Sequence, residues 1–293
     1  MTTEDAVTEA AAADVTRQAV DSLRATADPR LRDLLTALVR HLHAFARETR
    51  LTQAEWERAI GFLTATGQAC TETRQEFILL SDVLGLSTLV ETLRGNSAPG
   101  TTESTVLGPF HLTKSPVREL GDSVDLVGDG EPCVISGRIR SADGTPLPGA
   151  VLDVWQADGH GFYDVQQPEV QPAGNGRGLF TTDTEGRFRF RTCVPGSYPV
   201  PVDGPVGTLL RATGRHPYRP AHIHFIATAD GHTPVTTHVF VAGDAYLDSD
   251  AVFAVKESLV QDFPLTDDPS LARELGLPNP FRHARFDLVL ERG

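Results

Sequence analysis

The hydrophobic repeat of this 293-residue chain changes near residue 100, and two architectures must follow from one sequence. Before that point Gly and Pro are scarce and apolar residues recur at three- and four-residue steps. Leu31, Leu34, Leu35, Leu38, Leu42 and Phe45 form the stripe of an amphipathic helix. Thr52-Gln53-Ala54-Glu55 has the form of a capping box that opens a second helix, with Trp56, Ile60 and Leu63 on one side. The pattern predicts a third helix from Thr71 to about Leu84, stopped at Gly85, and a short one capped by Ser87 and running to Leu93. Residues 1 to about 14 are read as a first helix or a fraying end. After Ser97-Ala98-Pro99-Gly100 the period falls to two, and Gly- and Pro-containing turns recur. Strands are expected over 133–140, 150–156, 187–192, 221–227, 235–241 and 284–291, with Arg187-Phe188-Arg189-Phe190-Arg191 alternating cleanly. One more helix is expected at about Ser249–Gln261. The fold class is therefore mainly β: an α-helical part over 1–100, then a β-sandwich over 101–293.

Composition narrows the function. Against 26 Lys and Arg stand 39 Asp and Glu, and the formal charge of −13 repels a phosphate backbone, so no nucleic-acid partner is expected. Cys70, Cys133 and Cys193 are too few and too scattered for a disulfide framework or a zinc ribbon, which fits a reducing cytoplasm. The N-terminal residues lack the basic and apolar regions of a signal peptide, and no apolar run is long enough for a membrane span.

The densest chemical signal is Arg219-Pro220-Ala221-His222-Ile223-His224-Phe225. Histidines two apart on a strand share a face at a separation of about 6–7 Å, so both can reach one metal ion. Taken alone, two partly exposed strand histidines explain the pattern better. Of four tyrosines, Tyr163 lies in Asp158-Gly159-His160-Gly161-Phe162-Tyr163-Asp164 and Tyr198 in Pro195-Gly196-Ser197-Tyr198-Pro199. Both sit in loops after strands, where functional residues collect. By spacing alone, each reads as a packed turn tyrosine.

Taken together, these segments resemble the ferric-site signature of the intradiol ring-cleavage dioxygenases. Tyr163 precedes Tyr198 by 35 residues, Tyr198 precedes His222 by 24, and His222 precedes His224 by two, as in that family. The likeness extends to Arg74-Gln75-Glu76-Phe77 leading to Asp82, to Thr105-Val106-Leu107-Gly108-Pro109-Phe110, and to Gly144–Ala150 before Val154-Trp155. It runs from about residue 30 to the C-terminus. The segments 103–111 and 238–250 resemble the hydroxyquinol-cleaving branch more than the catechol or chlorocatechol branches. His238 departs from the catechol pattern, in which a Gln usually stands beside the iron pocket.

The resemblance implies one Fe(III) per chain, held by Tyr163, Tyr198, His222 and His224, with Tyr163 and His222 equatorial and Tyr198 and His224 axial. Phenolate is a hard anionic donor suited to Fe(III), unlike the carboxylate of Fe(II) facial triads. It implies that Tyr198 also serves as general base and that Arg219 stabilises developing negative charge; without it Arg219 reads as a surface ion-pair partner. Leu79, Asp82, Leu107, Gly108, Pro109 and Val252 are expected to line the ring pocket, and Asp82 either accepts a hydrogen bond from a third ring hydroxyl or pairs locally at a helix end. The implied reaction opens hydroxyquinol (1,2,4-trihydroxybenzene) with O₂, within aromatic catabolism. The same chemistry on catechol is the nearest alternative, and a β-sandwich binding module with structural zinc is the alternative of another class. A homodimer joined through the N-terminal helices, with a phospholipid held there, is also implied.

Overall fold

The computed structural model describes every residue except Met1, Thr2, Glu72, Thr73, Gly95, Asn96, Ser97, Ala98 and Thr113. Part of the expected linker, Ser97-Ala98, thus lies outside the described residues. The chain forms two compact units, residues 1–65 and 66–293. The division lies well before the change of texture near residue 100.

The first unit holds α1 (Thr3–Asp21), α2 (Pro29–Glu48) and most of α3 (Gln53–Gln68). Asp28 caps α2 by accepting from the backbone N–H of Arg30 and Leu31, and Pro29 supplies a preset first turn. The capping box at α3 forms as its sequence predicts: the Thr52 N–H donates to Glu55, and the Glu55 N–H donates to the Thr52 hydroxyl. Thr16 Oγ1 lies 3.0 Å from His43 Nδ1 and ties α1 to α2. The α2 stripe of Leu31, Leu34, Leu38, Leu42 and Phe45 stays about half exposed.

In the second unit, α4 (Glu76–Val83) and α5 (Leu86–Arg94) lead into the sheets. Helix α4 is shorter than the expected 71–84 because its start is fixed by tertiary contacts. Arg74 makes an ion pair with both Glu76 and Asp203, and buried Glu76 accepts from the N–H of Val206 at the start of α6 (Pro205–Ala212). These contacts bind α4 to the β-rich unit. Gly85 ends α4 with φ 75°, a conformation glycine adopts without strain. Ser87 lies inside α5, not at its cap, with its hydroxyl 2.9 Å from that of Ser81.

Two five-stranded sheets form the sandwich. The strands are β1 (Pro132–Ser141), β2 (Val151–Gln156), β3 (Arg177–Thr181), β4 (Arg187–Cys193), β5 (Tyr198–Pro199), β6 (Tyr218–Arg219), β7 (His222–Thr228), β8 (Val235–Val241), β9 (Val260–Gln261), β10 (Leu265–Thr266), β11 (Phe281–Arg285) and β12 (Leu288–Leu290). One sheet runs β10-β11-β1-β12 with β4 antiparallel to β1; the other runs β3-β2-β7-β8-β9; β5 and β6 form a separate ribbon. The expected strand over 284–291 is two strands, which pair with successive halves of β1. On β4 the phenylalanines turn inward and the arginines outward. Phe190 stacks on Phe180 at 5.1 Å and lies 6.4 Å from Phe225, so the aromatic rings of the two sheets interlock.

The helix expected at Ser249–Gln261 does not form. That stretch holds 3₁₀ turns at Leu247–Ser249 and Glu257–Leu259, then β9. The Asp250 carboxylate accepts from the N–H groups of Val252 and Ala254 and from Arg219, and a side chain that captures the backbone in this way competes with helix. Phe253 follows with φ 59°. Helix α6 and α7 (Pro269–Leu275) were not anticipated, being only eight and seven residues long. The signals for α7 were nonetheless present: Asp268 as cap, Pro269 in the first turn, and Gly276 in the left-handed conformation at its end.

Candidate active site

Four chain segments deliver one buried cluster. His222 and His224 project from the same face of β7, which is paired on both sides by β2 and β8 and so cannot twist away. Tyr163 caps the 3₁₀ turn Asp164–Gln166, with its N–H donated to Gln166 Oε1 at 2.9 Å. Tyr198 and Arg219 face each other in the β5–β6 ribbon. Two glycines permit the approach. A Cβ on Gly161 would lie 2.4 Å from the Ser197 carbonyl, and one on Gly108 would lie 3.1 Å from His224 Cε1; both residues have positive φ.

The donor atoms converge. Tyr163 Oη lies 3.1 Å from His224 Nε2 and donates to Tyr198 Oη at 3.5 Å, and the Nε2 atoms of His222 and His224 are 3.1 Å apart. His222 donates its Nδ1–H to the Pro220 carbonyl at 2.7 Å, which leaves the Nε2 lone pair directed into the cluster. His224 has no such bond, and its Nδ1 is unpartnered. Packing fixes its ring instead: Trp155 stacks on it at 4.5 Å and 12°.

Burial sets the protonation states. It holds His222 and His224 well below the ordinary histidine range, helped by the Arg219 charge, so both are neutral imidazoles. It holds the Tyr163 phenol well above its ordinary value, helped by the neighbouring Tyr198. A buried Tyr163 phenol that resists ionisation without a cation, the Tyr198 oxygen beside it, and two neutral imidazole nitrogens are groups that a metal ion would satisfy together. Four N and O donors at 3.1–3.5 Å from their neighbours fit one ion, and phenolates favour a hard, highly charged one.

Two buried ion pairs brace the cluster. Arg219 pairs with Asp250 through Nε at 3.1 Å, while its Nη1 donates to His222 Nε2 at 3.2 Å and to Tyr198 Oη at 3.4 Å. Asp250 holds Arg219 in its charged form against the cost of burial. Arg177 pairs with Asp164, the residue after Tyr163, and donates to the Phe110 carbonyl; the Phe110 ring stacks on Tyr163 at 4.5 Å.

Beside the donors lies a small, narrow pocket. Leu79, Asp82, Gly108, Pro109 and Val252 line it, and Tyr198 and Arg219 reach it from the donor cluster. Leu107 does not: it is 45% exposed and lines a separate surface groove with Thr101 and Thr236. Sequence reasoning had not assigned Val106, Phe110, Val200 and Pro201 to the pocket. Nor had it singled out Asp250 and Arg177, whose partners lie 31 and 13 residues away with no motif linking them. Asp82 is buried and its carboxyl is pushed above its ordinary value, mainly by desolvation, against the opposing pull of a Ser87 hydrogen bond and the Arg219 charge. His238, on β8 directly opposite His224, is fully buried against both histidines.

A sandwich carrying two tyrosines and two histidines at one buried point, with a helical lead-in, is the arrangement of a ring-cleaving dioxygenase. The dioxygenase family model matches residues 109–292 and the catechol dioxygenase N-terminus model matches residues 28–102, and the chain belongs to the intradiol ring-cleavage dioxygenase family. The seam between the two matches falls where the hydrophobic period changes. Within the family, the chain is 50% identical over 266 residues to the hydroxyquinol 1,2-dioxygenase of a Rhizobium species, covering 90% of each chain. It is 52% identical over 250 residues to the 6-chlorohydroxyquinol 1,2-dioxygenase of Cupriavidus pinatubonensis, covering 85% of this chain and 90% of that one. The solved hydroxyquinol 1,2-dioxygenase of Pseudomonas putida superposes with a TM-score of 0.90 at 44% identity, over 97% of this chain and 100% of that one. A catechol 1,2-dioxygenase of an Acinetobacter species gives 0.81 at 32% identity, over 95% and 91%. Family membership sets aside the zinc-holding binding module.

Proposed function

We propose that the protein is a non-haem Fe(III) hydroxyquinol 1,2-dioxygenase, which opens 1,2,4-trihydroxybenzene between its adjacent hydroxyls to 3-hydroxy-cis,cis-muconate, a tautomer of maleylacetate. Both atoms of O₂ end in the product, one in each new carboxylate. The observation that carries the reading is the convergence of Tyr163, Tyr198, His222 and His224 beside a pocket that contains a buried carboxylate.

Those four side chains would hold the ion. Bound there, ferric iron would supply the Lewis acidity that favours the deprotonated diol and primes its ring for O₂. Tyr198 belongs both to the donor cluster and to the pocket wall, so its oxygen is the proton acceptor nearest an entering hydroxyl. Arg219 also reaches both places, and its fixed charge faces the negative charge that grows as the ring ketonises. Leu79, Val106, Pro109, Phe110, Val200 and Val252 seat the ring and exclude water. Asp82 is the polar group available to a third hydroxyl, and a site that pairs a hydroxyl discriminates against the analogue that lacks it. Relatives that act on hydroxyquinol support this choice of substrate.

The half-exposed apolar stripe of α2 supports a homodimer formed through the N-terminal helices, with an acyl chain as a further occupant of that apolar surface. Among the described residues no helix is long and apolar enough to cross a membrane, and three free cysteines fit a reducing compartment such as the cytoplasm. Metal analysis, visible absorption and turnover test the proposal together. Iron-loaded protein should hold one iron per chain, show the red-brown tyrosinate-to-iron band, and turn over hydroxyquinol faster than catechol. A colourless, inactive iron-loaded protein overturns the ferric site; a preference for catechol overturns the substrate alone.

A further inference from the structure

His238 is the one imidazole of the cluster that neither the four-donor set nor the ring pocket uses. It is fully buried, and its ring faces the Val106 backbone without a well-formed hydrogen bond at either nitrogen. A neutral imidazole presents one N–H and one lone pair, and the Val106 backbone can serve at most the N–H, which leaves the buried lone pair for a ligand. Strand register shows where the ligand sits. His238 on β8 stands directly opposite His224 on β7. Its ring centroid lies 4.2 Å from that of His224 and 4.7 Å from that of His222. One nitrogen from each of these three rings lies within 4.8 Å of the other two, the only such triple of His, Cys, Asp or Glu among the described residues. Three nitrogens on one ion, each at about 2.1 Å, are at most about 3.6 Å from one another. A ring shift of no more than about 1.2 Å therefore closes the triad.

We propose that His222, His224 and His238 form a second, tyrosine-free metal site that overlaps the four-donor site and takes a borderline divalent cation, with Zn²⁺ as the probe. Three neutral nitrogens suit such a cation, whereas the two phenolates suit a ferric one. Asp250 offsets the Arg219 charge that would otherwise oppose a cation bound without anionic ligands. Because His222 and His224 serve both sites, the two metals exclude each other. Divalent zinc is then a competitor for iron loading, held in the same cavity by a different third ligand. The proposal shares two ligands with the ferric reading but does not require the tyrosines, so the two can fail separately.

The test titrates the full-length apoprotein with Zn²⁺ against a chromophoric chelator, and with Co²⁺ followed by visible absorption. Wild type should bind one Zn²⁺ per chain, give the intense Co²⁺ bands of a four-coordinate site, and fail to develop ferric colour once zinc-loaded. His238→Gln should weaken Zn²⁺ binding by more than about 100-fold, beyond the effect of losing a partner that only supports a ligand. It should still develop the ferric band, which shows that its cage is folded. The Tyr163→Phe/Tyr198→Phe double variant should bind Zn²⁺ as wild type does and give no ferric band. Equal zinc affinity in wild type and His238→Gln overturns the proposal. So does zinc binding that disappears with the tyrosines, or loss of both metals together in His238→Gln, which would make His238 packing for the cage. Absence of ferric colour in wild type would instead strike the four-donor reading.

Discussion

Replacing Asp82 by alanine should change which ring the enzyme prefers more than it changes how well the enzyme works. Asp82 lies on α4, 4% exposed, with Leu79, Val106 and Val252 among its companions in the pocket wall. Ser87 engages part of the carboxyl, and a carboxylate has room for about four donors, so acceptor capacity remains for a substrate hydroxyl. A hydrogen bond to a charged acceptor is worth about 1.5–3 kcal/mol, which corresponds to roughly ten- to a hundred-fold in kcat/KM. Asp82→Ala should therefore lower kcat/KM for hydroxyquinol by that factor and for catechol much less, measured on the same iron-loaded sample. Asp82→Asn keeps a neutral acceptor and should fall between. The pH profile gives an independent reading. Desolvation raises the Asp82 pKa, so the charged acceptor appears only as pH rises through that raised value. The wild-type preference for hydroxyquinol should grow over that rise and stay flat in Asp82→Asn. Stability runs the other way. The folded state binds this proton more tightly than the unfolded state, so the Asp82 contribution is full at pH below the unfolded pKa and is lost as pH climbs through the folded one. Asp82→Asn should therefore gain stability relative to wild type as pH increases. Equal losses on hydroxyquinol and catechol would refute the reasoning and make Asp82 a helix-end packing group.

Arg219→Ala should lower kcat by about 10²–10³ with a smaller change in KM, because its charge faces the developing anion; a variant altered in KM alone would make Arg219 a substrate-positioning group. Asp250→Ala leaves the Arg219 charge buried without its partner, at a cost of about 3–5 kcal/mol. At roughly 2–4 °C per kcal/mol, its Tm should fall by about 6–20 °C in thermal unfolding, and an unchanged Tm would show the pair to be dispensable. Tyr198→Phe should retain iron, as judged by metal analysis, while single-turnover deprotonation of the substrate slows; an unaltered rate would exclude Tyr198 as the proton acceptor.

The sequence by itself determined what local physics controls. The three- and four-residue step of Leu31 to Phe45 makes α2 wherever it is placed, and the alternation of Arg187 to Arg191 makes β4, because each pattern puts its apolar groups on one face only at one backbone period. The pair His222 and His224 is legible for the same reason: a two-residue step on a strand fixes a shared face. The tyrosines became candidates only through a family resemblance, since nothing local distinguishes Tyr163 from a packed turn residue. Tertiary structure decided the rest. Asp250 lies in a segment whose composition favours helix, yet its partner Arg219 is 31 residues earlier in the chain, and that buried pair together with the captured N–H groups outweighs helical propensity. Leu107 and Gly108 are neighbours in sequence, but one faces a surface groove and the other the pocket, because only a residue without Cβ fits against His224 at positive φ. His238 acquires its meaning from β7–β8 register, which sets it opposite His224 at a sequence separation of fourteen, and no period in the sequence reports register.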